Sequence, residues 1–234
     1  MGFYMRGALV EFMPAGLIPI PNVIVFQYNP ESMSHAWTQP EAAPAGPNET
    51  TTNPLAVKGN PGESFSFTLA LDAADSIADG TASAALAKVS GVYTRLAALE
   101  MLLYPASATS GGLLGAVTAA VGSLFGAGKG GLKRQVPANT INTVLFVWGP
   151  GRIVPVRVTA LTVTERLYDV ALNPTRAEVQ ITLRVLTQEE LNHDRDKLAG
   201  LARAANTYSQ GLRQALAVAN LVNAGESVVG MLPI

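Results

Sequence analysis

The stretch LNPTRAEVQITLRVL, residues 172–186, decides the fold of this chain. Its apolar side chains occupy alternate positions, with polar ones between them: Ala177, Val179, Ile181, Leu183 and Val185. Alternation with period two is typical of a strand with one face buried and the other in water. Asn173-Pro174 marks its start, since proline lacks an N–H and forces the preceding residue into an extended conformation. We therefore predict a half-buried strand from this point.

Several other segments predict strands because they show alternation or short apolar runs. They are residues 8–12, 22–28, 33–38, 63–72, 142–148 and 154–168, with turns at 29–32 and 149–151. Residues 154–168 form one or two strands that lead into the strand at 174, which indicates an antiparallel meander. Residues 22–28 are apolar on both faces, so we expect that strand to be covered twice. This number of short strands joined by turns favours an all-β barrel or sandwich.

Two helices are predicted from apolar residues at spacings of three and four. The first covers residues 83–103 and stops before Pro105, with its stripe at Leu86, Val89, Val92, Tyr93, Leu96, Leu99 and Leu103. The second starts at Thr187, which forms a capping box with Glu190, and ends near Gly225 and Gly230. Its heptad-like stripe is alanine-rich and includes Leu191, Leu198, Leu201, Ala205, Tyr208 and Leu212, which we expect to contact a partner surface.

Charge and composition exclude several function classes. The chain of 234 residues carries 16 basic and 17 acidic residues, a net charge of -1, so no bulk charge attracts nucleic acid or anionic membrane. It has no cysteine, which excludes disulfides and thiolate chemistry. Charged residues make up 14% of the chain, against roughly 25% in average domains, and the mean hydropathy is +0.25. Such a composition fits a protein that hides surface in an assembly.

Two long segments have no periodic pattern. Residues 40–61 are rich in proline and predict a surface loop. Residues 106–137 form a glycine-rich insertion followed by a basic cluster, which fits an element that orders against a neighbouring subunit. A membrane-active role for this insertion is an alternative. The N-terminus lacks the pattern of a secretory signal, so we expect synthesis in the cytoplasm.

The search for catalytic groups gives a negative expectation. His193 lies in a charged helical turn, and His35 shares a strand face with Trp37, a pair more typical of packing than of catalysis. The run GAGKGG at residues 126–131 lacks the spacing of a phosphate-binding loop. We therefore expect no enzymatic activity, no metal or cofactor site and no nucleic-acid binding.

Two motifs resemble a known family. FQYNPE at residues 26–31 and the run from PVRV at 155–158 through TERLY at 164–168 to NPTRAEV at 173–179 are similar to the tube-type domain of contractile injection systems, which are phage-tail-like particles of bacteria. The order of segments also matches over roughly residues 8–187. The resemblance implies a tube-type antiparallel β-barrel with one packed helix in residues 1–187, followed by a C-terminal helical extension in 188–234.

The family resemblance implies a structural role. Similar proteins join the spike and baseplate to the inner tube as a six-fold ring, which implies a homohexamer with tube, spike, baseplate or sheath subunits as partners, assembled in the bacterial cytoplasm. The family-motif and interface residues are then Phe26, Tyr28, Asn29, Pro30, Pro155, Glu165, Asn173, Pro174 and Arg176. Many members carry a C-terminal LysM module, which this sequence replaces with a helix. That difference indicates contact with a neighbouring subunit in place of peptidoglycan anchoring.

Two other function classes stay open on the sequence alone. One is a β-barrel that binds a small apolar molecule in its interior, which an open internal cavity would support. The other is a membrane-perturbing protein that acts through the glycine-rich insertion.

Overall fold

A computed structural model of the chain describes residues 5–13, 20–40, 55, 57, 59–78, 82–105, 141–193 and 199–231. These residues are mainly β and form a single sheet of antiparallel strands: β1 (Ala8–Met13), β2 (Ile20–Val25), β3 (Met33–Thr38), β4 (Gly62–Asp72), β5 (Val144–Val147), β6 (Ile153–Tyr168) and β7 (Pro174–Val185). The helices are α1 (Ala73–Ala78), α2 (Ala82–Ser90), α3 (Tyr93–Met101), α4 (Gln188–His193) and α5 (Ala199–Met231). The predicted fold class is confirmed. The glycine-rich insertion and most of the proline-rich loop lie outside the described residues.

Strand β7 lies inside the sheet and is buried on one face, as its sequence predicts. The strand order is β2-β1-β5-β6-β7-β4-β3, so β7 has β6 on one side and β4 on the other. Its alternate apolar residues, Ala177, Val179, Ile181, Leu183 and Val185, are all buried. The predicted meander is β5-β6-β7, and residues 153–168 form one long strand with a shift of register between Val158 and Ala160.

The sheet curls around a shared aromatic interior. Phe65 on β4 and Phe146 on β5 have ring centroids 5.3 Å apart, although β7 and β6 lie between their strands in the sheet. Three strand spacings in a flat sheet would separate them by about 14 Å. The two halves of the sheet therefore face each other, as in a barrel. Both rings are fully buried, and Leu96 and Leu99 of α3 complete the core.

Strand β2 differs from the expectation that both of its faces are covered. Ile24 packs against the core, but Val23 and Val25 on the other face remain 52% and 48% exposed. The reason is its position: β2 is the end of the strand order, and no element of the described chain packs on its outer face.

The prediction of one helix over residues 83–103 was wrong. The chain forms α2 and α3 with a break at Gly91, whose φ is +57°. At the break the Val92 N–H donates to the carbonyl of Pro174 at 2.8 Å, so the run of helical hydrogen bonds is interrupted. Of the predicted apolar stripe, Val92, Leu96 and Leu99 are buried, whereas four others are exposed: Leu86, Val89, Tyr93 and Leu103.

The C-terminal helices begin where the sequence predicts and end next to Gly230, the second of the two glycines that were expected to end them. The Thr187 N–H donates to Glu190 Oε2 at 2.9 Å and the Glu190 N–H to Thr187 Oγ1 at 3.3 Å, which confirms the capping box. Helix α5 continues through Gly225 and ends at Met231, next to Gly230, so its end agrees with the second of the two predicted positions and not with the first. A glycine lowers helix propensity by only about 1 kcal/mol, which a long helix tolerates.

Candidate assembly surfaces

The first family motif, residues 26–31, closes the interior between β2 and β4. Phe26 is buried, with its ring 5.5 Å from that of Phe67. Gln27 Nε2 donates to the Asp72 carbonyl at 2.8 Å, and the Asp72 N–H donates to Gln27 Oε1 at 3.0 Å. This side-chain amide therefore replaces one backbone pair of a strand ladder. Gln27 was not singled out from the sequence, although a polar residue inside an apolar run is a signal of such a role.

Asn29 makes the same kind of contact with the N-terminal segment. Its Oδ1 accepts from the Gly7 N–H at 2.9 Å and its Nδ2 donates to the Met5 carbonyl at 2.9 Å. Tyr28 and Pro30 lie beside it and line an open surface pocket of about 490 Å³, together with Asn29, Glu31, Ser32, Thr68, Ala70 and Glu178. Phe26 and Asn29 thus serve the fold of this chain, and an interface role for Tyr28 and Pro30 stays a prediction.

The second family motif, Asn173-Pro174, fixes the break between α2 and α3. Asn173 Nδ2 donates to the Val89 carbonyl at 3.0 Å, and the Pro174 carbonyl accepts from Val92. A Cβ on Gly91 would lie 2.1 Å from the Pro174 oxygen, a distance that Cβ atoms essentially never show. We call Gly91, Val92, Asn173 and Pro174 the helix-break junction. It joins the helical layer to β7 through backbone groups with no spare room.

A polar turn supports this junction from the β6–β7 side. Asp169 Oδ1 accepts from the N–H groups of Ala171 and Asn173 at 2.8 and 2.9 Å, and Asn173 Nδ2 also donates to Asp169 Oδ2 at 3.0 Å. The hydrogen bonds from Asn173 lower the pKa of Asp169, so the carboxylate stays charged at neutral pH. Asp169 was missed in the sequence, although an aspartate at the start of a turn is the usual signal of such bonds.

The end of the β6–β7 hairpin is apolar and exposed. Four large side chains there face solvent: Leu167 at 65%, Tyr168 at 54%, Val170 at 106% and Leu172 at 79%. Leu167 and Leu172 have φ of +54° and +65°, a region that bulky residues rarely adopt. Strain of this kind persists only where the surroundings fix it. The Asp169 turn does so, and it holds a preformed apolar tip.

Polar contacts lie on both faces of the hairpin below this tip. Arg176 on β7 donates to Asp72 at the end of β4, with Nη2 and Oδ2 2.6 Å apart. Burial raises the pKa of Asp72, but the hydrogen bond and charge of Arg176 outweigh it, so the pKa is lowered. Glu165 accepts from the Tyr168 hydroxyl at 3.2 Å. Glu165 and Arg176 are exposed, whereas Pro155 and Pro174 of the same predicted set are buried.

A polar cluster joins α5 to the other end of β4. Glu63 accepts from Arg213 Nη1 at 2.8 Å, and His35 Nε2 lies 2.6 Å from its Oε1. The His35 ring packs between those of Trp37 and Phe65, with centroids 3.7 and 4.1 Å away, which confirms that His35 and Trp37 share a face. The Arg152 guanidinium lies 5.1 Å from the Phe65 centroid. We call His35, Glu63, Arg152 and Arg213 the Glu63 cluster.

Electrostatics within the Glu63 cluster set its protonation. Burial lowers the pKa of His35, and the hydrogen bond to Glu63 opposes this without reversing it, so the imidazole is neutral at neutral pH. Burial raises the pKa of Glu63, but hydrogen bonds from Arg213 and His35 outweigh it and the pKa is lowered. The cluster therefore holds one buried carboxylate against one arginine that bonds it directly.

Helix α5 packs on the rest of the chain with small and polar residues, and the predicted contact of its stripe with a partner stays a prediction. Within residues 199–221, its buried side chains are Ala199, Ala202, Ala205, Asn206 and Ser209. Ser209 Oγ donates to the Ile153 carbonyl at 2.7 Å, and the Tyr208 hydroxyl donates to the Pro150 carbonyl at 2.9 Å. Of the stripe residues, Leu191 is buried, Leu212 is half-buried and Leu201 and Tyr208 are 45% and 50% exposed. Leu198 lies outside the described residues.

The described part of the chain contains neither a metal-binding cluster nor a membrane-spanning helix. No group of three or more His, Asp or Glu side chains there is arranged to hold a metal ion. None of the described helices is long and apolar enough to cross a membrane. Comparison of the sequence with models of known protein families and with curated proteins gives no match. Function therefore has to be argued from the surfaces described above.

Proposed function

We propose that this chain is a structural subunit of a phage-tail-like contractile injection system, forming a hexameric ring that joins the spike and baseplate to the inner tube. The proposal rests on the resemblance of the two Asn-Pro motifs to the tube-type domain and on one observation of the fold. That observation is a long edge of β6 that no other strand of the described chain pairs with.

The edge arises because β5 is much shorter than β6. Strand β5 pairs with β6 only from Val144 to Val147. Beyond Val156, β6 has β7 on one side and no strand of the described chain on the other. Within the described chain, residues 157–168 therefore present a row of backbone N–H and C=O groups without a strand partner on that side. Such an edge is a template for pairing with another chain.

The neighbouring surface supports the same role. Leu161 and Val163 of this edge pack against the core from its margin, and the exposed apolar tip at 167–172 continues it. At the other two sheet margins, β2 and β3 each have one neighbouring strand. Pairing of β6 with a different edge of the next subunit is heterologous, and heterologous contacts form a ring where the rotation between subunits closes.

The interior argues against the ligand-binding alternative. Phe65, Phe67 and Leu69 are buried there at 4% exposure or less, and Leu96 and Leu99 of α3 fill the space between the sheet halves. An apolar ligand would need that volume. The membrane-perturbing alternative depends on residues 106–137, which lie outside the described residues.

The edge can be tested by adding charge to it. In Thr162→Lys/Thr164→Lys, two exposed side chains on the free edge become cations that oppose strand addition. We expect the unmodified chain to give six-fold rings by electron microscopy and a hexamer by analytical ultracentrifugation, and the variant to give monomers. Gln180→Lys, on the adjacent paired strand, is the control and should still form rings. A monomeric unmodified chain at high concentration, alone and with tube or spike partners, contradicts the proposal.

A further inference from the structure

The Glu63 cluster contains more positive than negative charge. Arg152 and Arg213 are cations, Glu63 is the one carboxylate of the cluster, and burial lowers the pKa of His35 so that its ring is neutral at neutral pH. The cluster therefore holds one positive charge that no anion of the cluster balances. Charges that are partly removed from water are normally paired, because their desolvation costs free energy.

The hydrogen bonds of Glu63 go to Arg213 and His35, not to Arg152. Arg213 donates to both carboxylate oxygens of Glu63, at 2.8 and 2.5 Å, and His35 Nε2 lies 2.6 Å from Oε1. Among the described residues, the Arg152 guanidinium contacts the Phe65 ring and is close enough to feel the charges of Glu63 and Arg213, but no oxygen there accepts a hydrogen bond from it. Arg152 therefore has donors without an acceptor.

The fold holds these donors in place. The Trp148 N–H donates to the Arg152 carbonyl at 2.8 Å, which closes the β5–β6 hairpin. On the same turn, the Pro150 carbonyl accepts from the Tyr208 hydroxyl of α5 at 2.9 Å. The central carbon of the Arg152 guanidinium lies 5.1 Å from the centroid of the buried Phe65 ring, a cation–π distance. This contact orients the guanidinium without supplying an acceptor for its N–H groups.

The surroundings of Arg152 favour an added anion. Burial and the positive charge of Arg213 lower the pKa of Arg152, and the attraction of Glu63 does not reverse this. Arg152 is half-buried and the side chain of Arg213 is 41% exposed, so both remain accessible from solvent. An anion bound at Arg152 would offset the repulsion between the two arginines.

We propose that Arg152, with the positive charge of Arg213 close to it, is a binding site for a carboxylate group. A carboxylate carries one negative charge, which balances the cluster, and its two oxygens match the planar fork of a guanidinium. A phosphate dianion brings a second negative charge towards Glu63 and fits less well. The carboxylate belongs to a small organic acid or to a side chain of another subunit. The site itself does not rest on the proposed ring, because all of its residues belong to one chain.

Acetate is the probe for this site. The Tm of the dilute full chain is measured at neutral pH in sodium acetate and in sodium chloride of equal concentration. We expect acetate to raise Tm by about 2–4 °C over chloride, and Arg152→Gln to lose most of this gain. Arg203→Gln is the matched control, since Arg203 is also half-buried but its Nε donates to the Ala199 carbonyl at 3.1 Å. Salts also act through exclusion from the protein surface, so the difference between the two variants is the result that counts.

Assembly of the chain distinguishes the two sources of the carboxylate. If a neighbouring subunit supplies it, Arg152→Gln should weaken assembly about tenfold in analytical ultracentrifugation, acetate should compete with assembly of the unmodified chain, and Arg203→Gln should assemble normally. If a small acid supplies it, both variants should assemble as the unmodified chain does. A chain that forms no ring contradicts the proposed function, and the acetate measurement then decides the site alone.

Three results would overturn the carboxylate site. The first is that Arg152→Gln behaves like Arg203→Gln in both measurements. The second is a Tm of Arg152→Gln in chloride more than about 5 °C below that of the unmodified chain, because Arg152 would then already have a partner within its own chain. The third is a gain of Tm in inorganic phosphate that depends on Arg152 and exceeds the gain in acetate, which would assign the site to a different class of anion.

Discussion

The sheet meets its helices at two ends, and the two contacts are built in opposite ways. At the helix-break junction, backbone meets backbone: Pro174 accepts from Val92, and Gly91 leaves no room for a Cβ. At the Glu63 cluster, the contact is made by side-chain charges, and Arg213 is 41% exposed. The first contact depends on shape and the second on charge. We therefore expect the junction to break with any added atom, and the cluster to respond to pH.

The largest effect is expected from Gly91→Ala. The new Cβ would lie 2.1 Å from the Pro174 oxygen, at a φ of +57°, so the junction must separate. We expect the free energy of unfolding to fall by about 4 kcal/mol, in the range of severe single substitutions, measured by urea denaturation. Gly149→Ala is the control, because φ is +67° there but nothing lies within 4 Å; it should cost only about 1–2 kcal/mol. Equal losses in both variants would show that close contact at Gly91 is unimportant.

A smaller loss is expected from Asn173→Ala. It removes the donor to the Val89 carbonyl and to Asp169 Oδ2 and leaves these acceptors with fewer partners. We expect a loss of about 2 kcal/mol and a rise in the pKa of Asp169, whose largest depressing cause is removed. Asn220→Ala, exposed on α5, should be within 0.5 kcal/mol of the unmodified chain, as is usual for surface sites. If Asn173→Ala left the free energy of unfolding unchanged, the Pro174 contact alone would hold the junction.

The sheet side of both contacts could be predicted from the sequence, and the helix side could not. Residues 177–185 are buried at alternate positions because period two leaves no other register for an apolar face. The break at Gly91 was missed because Val89, Val92 and Leu96 keep helical spacing across it. The deciding partner, Pro174, is distant in sequence and acts through its backbone carbonyl. Glycine inside an apolar helical run was the available signal.

The face that α5 buries was also missed, for a different physical reason. The alanine-rich stripe was expected to contact a partner surface, but Ala205 of that stripe is buried within the chain beside Ala202, because close approach of a helix favours small side chains. The Glu63 cluster joins residues that are distant in sequence and carry no local pattern. Sequence patterns predict which face of a helix or strand is apolar, but not whether that face packs within the chain or stays exposed.

Mild acid should weaken the Glu63 cluster before the junction. The folded-state pKa of His35 lies below its ordinary 6.5, so the unfolded chain binds more protons below that pH and stability falls as pH drops through this window. The pKa of Glu63 is also lowered, from 4.5, so its contribution, present above pH 4.5, is lost as pH falls below it. We expect Tm to fall by about 2–4 °C in the His35 window, measured by calorimetry at pH steps.

A matched variant tests whether His35 causes the fall of Tm in mild acid. His35→Gln keeps a donor towards Glu63 and does not titrate, while His193 is left unchanged. The Tm of this variant should not change between pH 6.5 and 5, and the loss of stability below pH 4.5 should remain. An unchanged slope in this variant would remove His35 as the cause.

The smallest effect on global stability is expected from Arg213→Ala, although its local effect should be clear. Because Arg213 is 41% exposed, loss of its pair with Glu63 should cost less than about 1 kcal/mol. The same change frees the last described link between α5 and β4, so amide hydrogen exchange should rise in residues 205–216 and stay constant in β7. Arg203→Ala is the control, since Arg203 Nε donates only one turn back, to the Ala199 carbonyl. If exchange rose equally in both variants, small-residue packing and not the Glu63 cluster would hold α5. The Glu63 cluster would then not be a contact fixed by charge, and the contrast with the helix-break junction would not hold.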